Sequence, residues 1–360
     1  MTFERDNIAR MQGYTYGEQP VRASVVKLNT NENPYPPSPR VAQALREFDV
    51  TCLRTYPDAV AHSFCSAAAK LNGVGIDNIM ATNGGDEALR LAITTFVDAG
   101  ATFGTVVPSY SLYPVLASVQ DCHRLEIPLA ADFAWPQDLA EQLNNADARL
   151  TCLVNPHAPS GALTSAQTVM TLATALNGVL LVDEAYINFV DPASGHDLAP
   201  RVLDTENLLI LRSMSKGYSL AGLRFGYLIG HVGLIKPMLE KTRDSYNVDG
   251  LSQVLAEAAL TDFDYARHNW QTITGSREEL RQQLIALGFQ VPHSQTNFVL
   301  AQCDSEHAAT ALVLYDALRE RDIFVRYFKD LPDRLRISVG TDSENAALLQ
   351  ALAELLGGKA

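Results

Sequence analysis

From about residue 78 the chain alternates between short, continuous apolar runs and polar clusters. The runs are Asn78-Ile-Met-Ala-Thr82, Gly104-Thr-Val-Val107, Leu150-Thr-Cys-Leu-Val154, Gly178-Val-Leu-Leu-Val182, Asn207-Leu-Leu-Ile-Leu211 and Phe225-Gly-Tyr-Leu-Ile-Gly230. Four or five apolar residues in a row, bounded by glycine, proline or charge, suit strands covered on both faces. Helical spacing lies between some of them: Asp86 to Val97 places Leu89, Ile93, Phe96 and Val97 on one side. The alternation predicts an α/β fold with a mostly parallel, doubly wound sheet. Such sheets bind ligands outside the carboxyl ends of their strands. Here polar clusters follow the strands directly, so one rim should collect them.

The two ends of the chain read differently. Asn29-Thr-Asn-Glu-Asn-Pro-Tyr-Pro-Pro-Ser-Pro39 carries four prolines, which bar a helix or sheet interior and predict an extended surface segment. A short amphipathic helix is expected over Val41 to Phe48. After about residue 250 longer amphipathic helices are expected, at Arg277 to Ala286 and Ala308 to Arg321. Strand-like pieces lie at Asn297 to Leu300, Ile323 to Arg326 and Leu335 to Val339. The expected organisation is an N-terminal arm (1–45) packing with a smaller α+β domain (249–360), around a large domain (46–248).

Composition narrows the function classes. With 28 Lys+Arg against 41 Asp+Glu the formal net charge is −13, which argues against a bulk electrostatic grip on nucleic acid or anionic lipid. An apolar content of 47% with 19% charged residues is that of an ordinary globular protein. No run of about 18 apolar residues suggests a membrane span, and the start of the chain lacks the pattern of a secretion signal. The five cysteines, Cys52, Cys65, Cys122, Cys152 and Cys303, show no metal-ligand or disulfide spacing. A cytoplasmic protein without metal is the expectation.

The candidate chemistry lies in the clusters. Lys216, in Ser213-Met-Ser-Lys216, follows a buried strand, with Arg224 eight residues on. A lysine in a partly apolar, cationic setting has a lowered pKa and condenses with aldehydes. The neighbouring hydroxyls and the guanidinium make a phosphate seat. Asp183 ends a very apolar strand, where a carboxylate needs a partner, and a protonated ring nitrogen would be one. Asn83-Gly-Gly-Asp-Glu87 opens a helix, so the backbone N–H groups of Gly85 and Asp86 would offer an anion site. Tyr110, in Pro108-Ser-Tyr110, puts an aromatic face on the same rim. Each feature alone has an ordinary structural explanation. Together they match an aldehyde, a phosphate, a pyridine nitrogen and a flat ring, the four parts of pyridoxal 5'-phosphate.

The order Asn83-Gly-Gly-Asp-Glu87, Pro108-Ser-Tyr110, Asn155-Pro-His-Ala-Pro-Ser-Gly161, Asp183-Glu-Ala-Tyr186, Ser213-Met-Ser-Lys216 and Arg224 resembles that of the fold-type-I pyridoxal-phosphate aminotransferases. Lys27-Leu-Asn-Thr-Asn-Glu-Asn-Pro34, Tyr56-Pro-Asp58, Leu335-Arg-Ile-Ser-Val-Gly340, and Tyr14 followed by Gly17 resemble the histidinol-phosphate aminotransferases in particular. The resemblance implies a seven-stranded sheet and transamination of histidinol phosphate with 2-oxoglutarate. It implies that Lys216 bonds to the cofactor aldehyde, Asp183 pairs with the ring nitrogen, Tyr186 donates to the phenolic oxygen and Tyr110 stacks on the ring. Gly85, Asp86, Ser213, Ser215 and Arg224 would hold the cofactor phosphate, and Tyr56 would reach the neighbouring site of a homodimer. Arg336, assisted by Arg326, would bind substrate carboxylate or phosphate, with Tyr14 and Asn33 lining the substrate side.

The sequence departs from the family at Ala158, where an asparagine usually contacts the phenolic oxygen. Asn155 is the expected replacement; His157, or Tyr186 acting alone, are the other choices. Aromatic amino acid transamination and decarboxylation of a phosphorylated threonine use the same residue set and stand as alternative activities. A non-catalytic relative is disfavoured by the intact Lys216 and Asp183, and a dinucleotide-binding protein by the lack of a Gly-rich phosphate fingerprint.

Overall fold

The computed structural model describes residues 3–20, 25–303 and 310–357. Its centre is a seven-stranded sheet in the order Ile79–Thr82, Gly226–Gly230, Leu208–Ser213, Val179–Asp183, Ala148–Val154, Thr102–Val107 and His123–Pro128. All strands run in one direction except Gly226–Gly230, which is antiparallel to both neighbours. The apolar runs are continuous because each face packs its own core. Leu180 and Val182 join a cluster with Val106, Leu153 and Ile210 on one face, while Leu181 joins Phe103, Leu150 and Leu209 on the other. Both faces are dry, so no polar alternation survives.

One strand gives no such signal. His123–Pro128 lies at the edge and buries little beyond Ile127. Its sequence carries charges at Arg124 and Glu126 because one side of an edge strand is solvated.

A second, three-stranded antiparallel sheet orders Arg326–Phe328, Leu331–Ser338 and Phe298–Gln302. The piece expected as one strand over Ile323 to Arg326 is divided at Val325: Ile323–Phe324 pairs in parallel with Val26–Lys27 of the arm, while Arg326–Phe328 joins the three-stranded sheet. The expected helix at Arg277 to Ala286 is the end of a longer helix, Phe263–Ala286. The helix expected over Ala308 to Arg321 runs Ala311–Glu320, capped by Thr310; Ala308 and Ala309 lie outside the described residues. Among the described residues no helix is long and apolar enough to cross a membrane.

The arm divides between the two sheets, which corrects the expectation that all of it packs with the smaller one. Its first helix, Asp6–Arg10, lies against the helix Leu112–Val119, which packs on one face of the large sheet. There Asn7 donates to Ser118 O (2.9 Å) and Arg5 to Val119 O (3.0 Å), satisfying carbonyls that a helix end leaves open. Further on, Leu28 O accepts from Ser338 N, fixing the arm to the small sheet. The proline-rich segment ends as Pro39 starts the helix Pro39–Glu47 behind the Ser38 cap, a position where the missing N–H costs nothing.

Candidate active site

A cavity of about 300 Å³ opens at the carboxyl rim of the large sheet. The parallel strands deliver Asp183, Ser213, the Gly85–Asp86 helix start and Tyr110 to it, and the reversed strand delivers Arg224 from its amino end. The small sheet contributes Arg326, Phe328 and Arg336; the arm contributes Tyr14 and Asn29 to Glu32. Lys216 and Tyr186 line the same space.

Asp183 is 5% exposed. Its Oδ2 accepts from the hydroxyl of Tyr113 (3.0 Å) and its Oδ1 from Ala185 N (3.1 Å). Burial pushes its carboxyl up to about 6, against the pull of those two donors. No cation pairs with it among the described residues, so this buried charge lacks the partner that would offset its desolvation. Behind it, Glu184 is fully buried and takes Nε and Nη2 of Arg212 on one oxygen, each at 2.9 Å. His196 approaches its other oxygen at 3.4 Å.

Lys216 Nζ donates to Thr30 O across 2.8 Å. Burial first, and then the positive charge of Arg336, push this amine down to about 8. Thr30 is itself held in the arm by Lys27 and Glu32, which form an ion pair: Lys27 Nζ donates to Thr30 Oγ1 (2.5 Å), and that hydroxyl donates to Glu32 (2.7 Å).

The anion end is built from close backbone approach. Gly84 has φ +76°, and a Cβ there would stand 2.8 Å from Nη2 of Arg224. Arg224 bonds Asp86 Oδ2 (3.2 Å) and Ser215 Oγ (3.5 Å), while Ser213 Oγ accepts from Ser215 N (3.1 Å). The hydroxyl of Tyr110 donates to Asp86 Oδ1 (3.3 Å), and its ring meets those of Tyr113 and Tyr14 edge-on.

The opposite end is cationic. Arg326 and Arg336 are directly paired residues on adjacent antiparallel strands. Like charges so placed repel, and neither forms an ion pair with an acid among the described residues. Arg336 is held over the rings of Phe298 and Phe328 at 5.2 and 5.3 Å, and donates to Asn29 O (3.0 Å). Its buried Nε has no hydrogen-bond partner among the described residues. Two arginines without an acid form a seat for a carboxylate or phosphate.

Three expected site residues, Asn155, Asn33 and Tyr56, lie outside the cavity lining. Asn155 spends its amide on Thr164, donating to O and accepting from N at 2.9 Å each, and is not part of the cavity wall, so it does not reach in as expected. The reason is local: the loop after its strand needs both bonds to close. His157 is committed likewise, to Ser160 Oγ (2.7 Å) and Pro108 O (2.9 Å). Asn33, expected on the substrate side, instead donates to Lys216 O (3.1 Å) and ties the arm to the lysine's backbone. Tyr56 is 79% exposed and stacked on Tyr246 at 4.4 Å, away from its own chain's cavity.

Three residues not singled out from the sequence prove central. Tyr113 anchors Asp183, Glu32 lines the cavity, and Asn31 donates to the hydroxyl of Tyr186 (3.0 Å). Tyr113 lies three residues beyond Tyr110, at helical spacing, and Asn31 and Glu32 lie within the polar run before Pro34; those positions were the available signals.

Comparison with known proteins gives a consistent result. The family model for aminotransferase class I and II matches residues 23–352. The chain is 40% identical over 355 residues to histidinol-phosphate aminotransferase 1 of Nostoc sp., covering 98% of each chain. It is 40% identical to histidinol-phosphate aminotransferase of Geobacter sp., covering 99% of each. Among solved structures it resembles histidinol-phosphate aminotransferase of Sinorhizobium meliloti in complex with pyridoxal-5'-phosphate, with TM-score 0.85 and 28% identity over 92% of this chain and 90% of that one.

Proposed function

The chain belongs to the class I and II aminotransferases, among the histidinol-phosphate aminotransferases, and we propose that it moves the amino group of histidinol phosphate to 2-oxoglutarate with pyridoxal 5'-phosphate as cofactor. The products are imidazole acetol phosphate and glutamate. One observation carries the reading: a single cavity holds a buried amine with a lowered pKa and, among the described residues, a buried carboxylate with no paired cation and two paired arginines with no ion-paired acid. Each is a charge arrangement that costs free energy until a complementary ligand arrives.

The residues present fit the cofactor. Asp183 suits a ring nitrogen that carries a proton, since that cation would offset the desolvated carboxylate. Tyr186 would donate to the phenolic oxygen and Tyr110 would cover the ring. Ser213, Ser215, Arg224 and the N–H groups of Gly85 and Asp86 would hold the phosphate at the start of a 13-residue helix, where the helix dipole favours an anion. Bound there, the cofactor supplies an aldehyde that captures the substrate amine and a ring that accepts electron density when the adjacent C–H bond breaks.

The chain's own groups do the rest. Lys216 Nζ, already poor at holding its proton, would hold the aldehyde carbon until the substrate amine displaces it; the freed amine would then take the proton from the substrate carbon and deliver it to the former aldehyde carbon. Arg336 and Arg326 bind the phosphate of one substrate and the carboxylate of the other. Both anions present paired oxygens, and a guanidinium fork serves either. Tyr14 closes the substrate side against Tyr110.

The reading extends to assembly and location. Val50, Leu53, Tyr56 and Val60 are all more than two-fifths exposed, with Tyr246 beside Tyr56. Such a grouping of exposed apolar side chains suits an interface, and supports a homodimer in which Tyr56 reaches the neighbouring site. The cysteines are unpaired, which suits a reducing cytoplasm. The proposed organisation has residues 46–248 as the cofactor-binding unit and 249–360 as the smaller one.

The test is a substrate panel. Wild-type protein loaded with cofactor should turn over histidinol phosphate with 2-oxoglutarate faster than phenylalanine, and release no carbon dioxide from threonine phosphate. Faster turnover of phenylalanine, or decarboxylation, overturns the substrate assignment. Lys216→Ala should lose the visible absorption of the lysine-bound cofactor and all transamination; retained turnover overturns the mechanism.

A further inference from the structure

We infer that Asn31 is a positioning residue for Tyr186, fixing the direction of the phenolic hydrogen so that the hydroxyl faces the cavity as a donor. The inference rests on the reading above, in which Tyr186 meets the cofactor's phenolic oxygen.

A chain of hydrogen bonds with a defined polarity carries it. Asn31 N–H donates to Ser338 Oγ (2.9 Å). That hydroxyl, already accepting, spends its one hydrogen on Asn31 Oδ1 (3.0 Å). With its oxygen engaged, the Asn31 amide presents Nδ2 to the Tyr186 hydroxyl at 3.0 Å. An amide N–H only donates, so the phenol oxygen accepts, and its own hydrogen is left for a different acceptor. Asn297 Nδ2 donates to Asn31 O (3.0 Å) and steadies the same residue. Asn31 is 2% exposed and held at φ +56°.

The relay does what neighbouring polar groups do not. Asn155 and His157 are committed to loop contacts, and the cavity wall at Ala158 is apolar. Donors in series polarise one another, so an O–H that accepts from Asn31 is a stronger donor to an oxyanion. Ser338 lies two residues beyond Arg336 on one strand. The strand that would grip the substrate anion therefore also orients the tyrosine. The titratable groups around this hydroxyl are Arg336, Asp183, Tyr14 and Tyr110, all unchanged in the variants below.

The test follows the visible absorption of protein loaded with pyridoxal 5'-phosphate as a function of pH. Asn31→Gly deletes the amide at a backbone angle that glycine adopts freely. Its midpoint should rise by about 0.5–1 pH unit, the worth of one hydrogen bond, in the same direction as that of Tyr186→Phe. Adding Asn31→Gly to Tyr186→Phe should then shift it no further. Asn31→Asp reverses the polarity by accepting the phenolic hydrogen, and should raise the midpoint at least as far as Tyr186→Phe does. An unchanged midpoint in Asn31→Gly, or a shift fully additive with Tyr186→Phe, overturns the inference. Should Asn31→Gly not fold, Ser338→Ala decides: a smaller rise supports the relay, and a wild-type midpoint overturns it. Wild-type protein that develops no visible band with the cofactor overturns the functional reading itself, a result distinct from any of these.

Discussion

The hydroxyl of Tyr113 donates to Oδ2 of Asp183 across 3.0 Å, with the tyrosine wholly buried. The bond stabilises the ionised carboxylate but falls short of a full charge partner, and burial still lifts Asp183 to about 6 from its ordinary 3.8. An acid with a raised folded-state pKa contributes stability that is full below its unfolded pKa and lost as pH rises through the folded one. Without cofactor, Asp183→Asn should therefore stabilise the protein by about 1–3 kcal/mol at pH 8 and by nothing at pH 3.5. Denaturant unfolding of the cofactor-free protein at the two pH values measures this. Equal effects at both would remove the charge as the cause. The same variant should bind cofactor far more weakly.

Lys216 should be unusually reactive in the cofactor-free protein. Acylation by a small electrophile, followed by peptide mass analysis, should be half-maximal near pH 8, because burial and Arg336 hold the amine at about 8; exposed lysines titrate near 10.4. Arg336→Met removes one of the two named causes and should move the midpoint upward. It should also raise KM for both substrates about tenfold or more, since a charged hydrogen bond is worth about 1.5–3 kcal/mol. A midpoint near 10 in wild type would contradict the buried setting.

Gly84→Ala should weaken cofactor binding while leaving the fold standing. The added Cβ would sit 2.8 Å from the Arg224 guanidinium, on a backbone at φ +76°. The left-handed angle costs about 1–2 kcal/mol, and the arginine must move off the anion seat. Cofactor titration should show about a tenfold loss, with far-ultraviolet circular dichroism unchanged. Wild-type affinity would show that Arg224 holds its contacts from elsewhere.

Arg212→Met should destabilise the chain by about 3–5 kcal/mol, because it strands the buried Glu184 carboxylate. Adding Glu184→Gln should recover much of the loss. Thermal or denaturant unfolding of both variants reads the difference. If the double variant is no better than the single one, the cost lies in packing rather than in charge.

The central sheet was legible because burial on two faces is written along the chain itself. Runs such as Val179 to Val182 have no polar alternation, and the breakers after them mark the rim where Asp183 and Ser213 stand. The same local signals exposed Lys216 and the Gly84–Gly85 helix start. The edge strand His123–Pro128 escaped because an exposed edge leaves no continuous apolar run.

What only the tertiary structure decided is which polar groups meet. Asn31 and Tyr186 are 155 positions apart, and Asn31 and Ser338 are 307 apart. Asn155 stands at a strand end as expected, yet its amide turns into its own loop. Arg326 and Arg336 become a charged pair only through the register of two antiparallel strands. Apolar burial is non-directional and additive, so a linear pattern encodes it. A hydrogen bond or an unpaired charge depends on distance, angle and burial, and those exist only once distant segments are packed together.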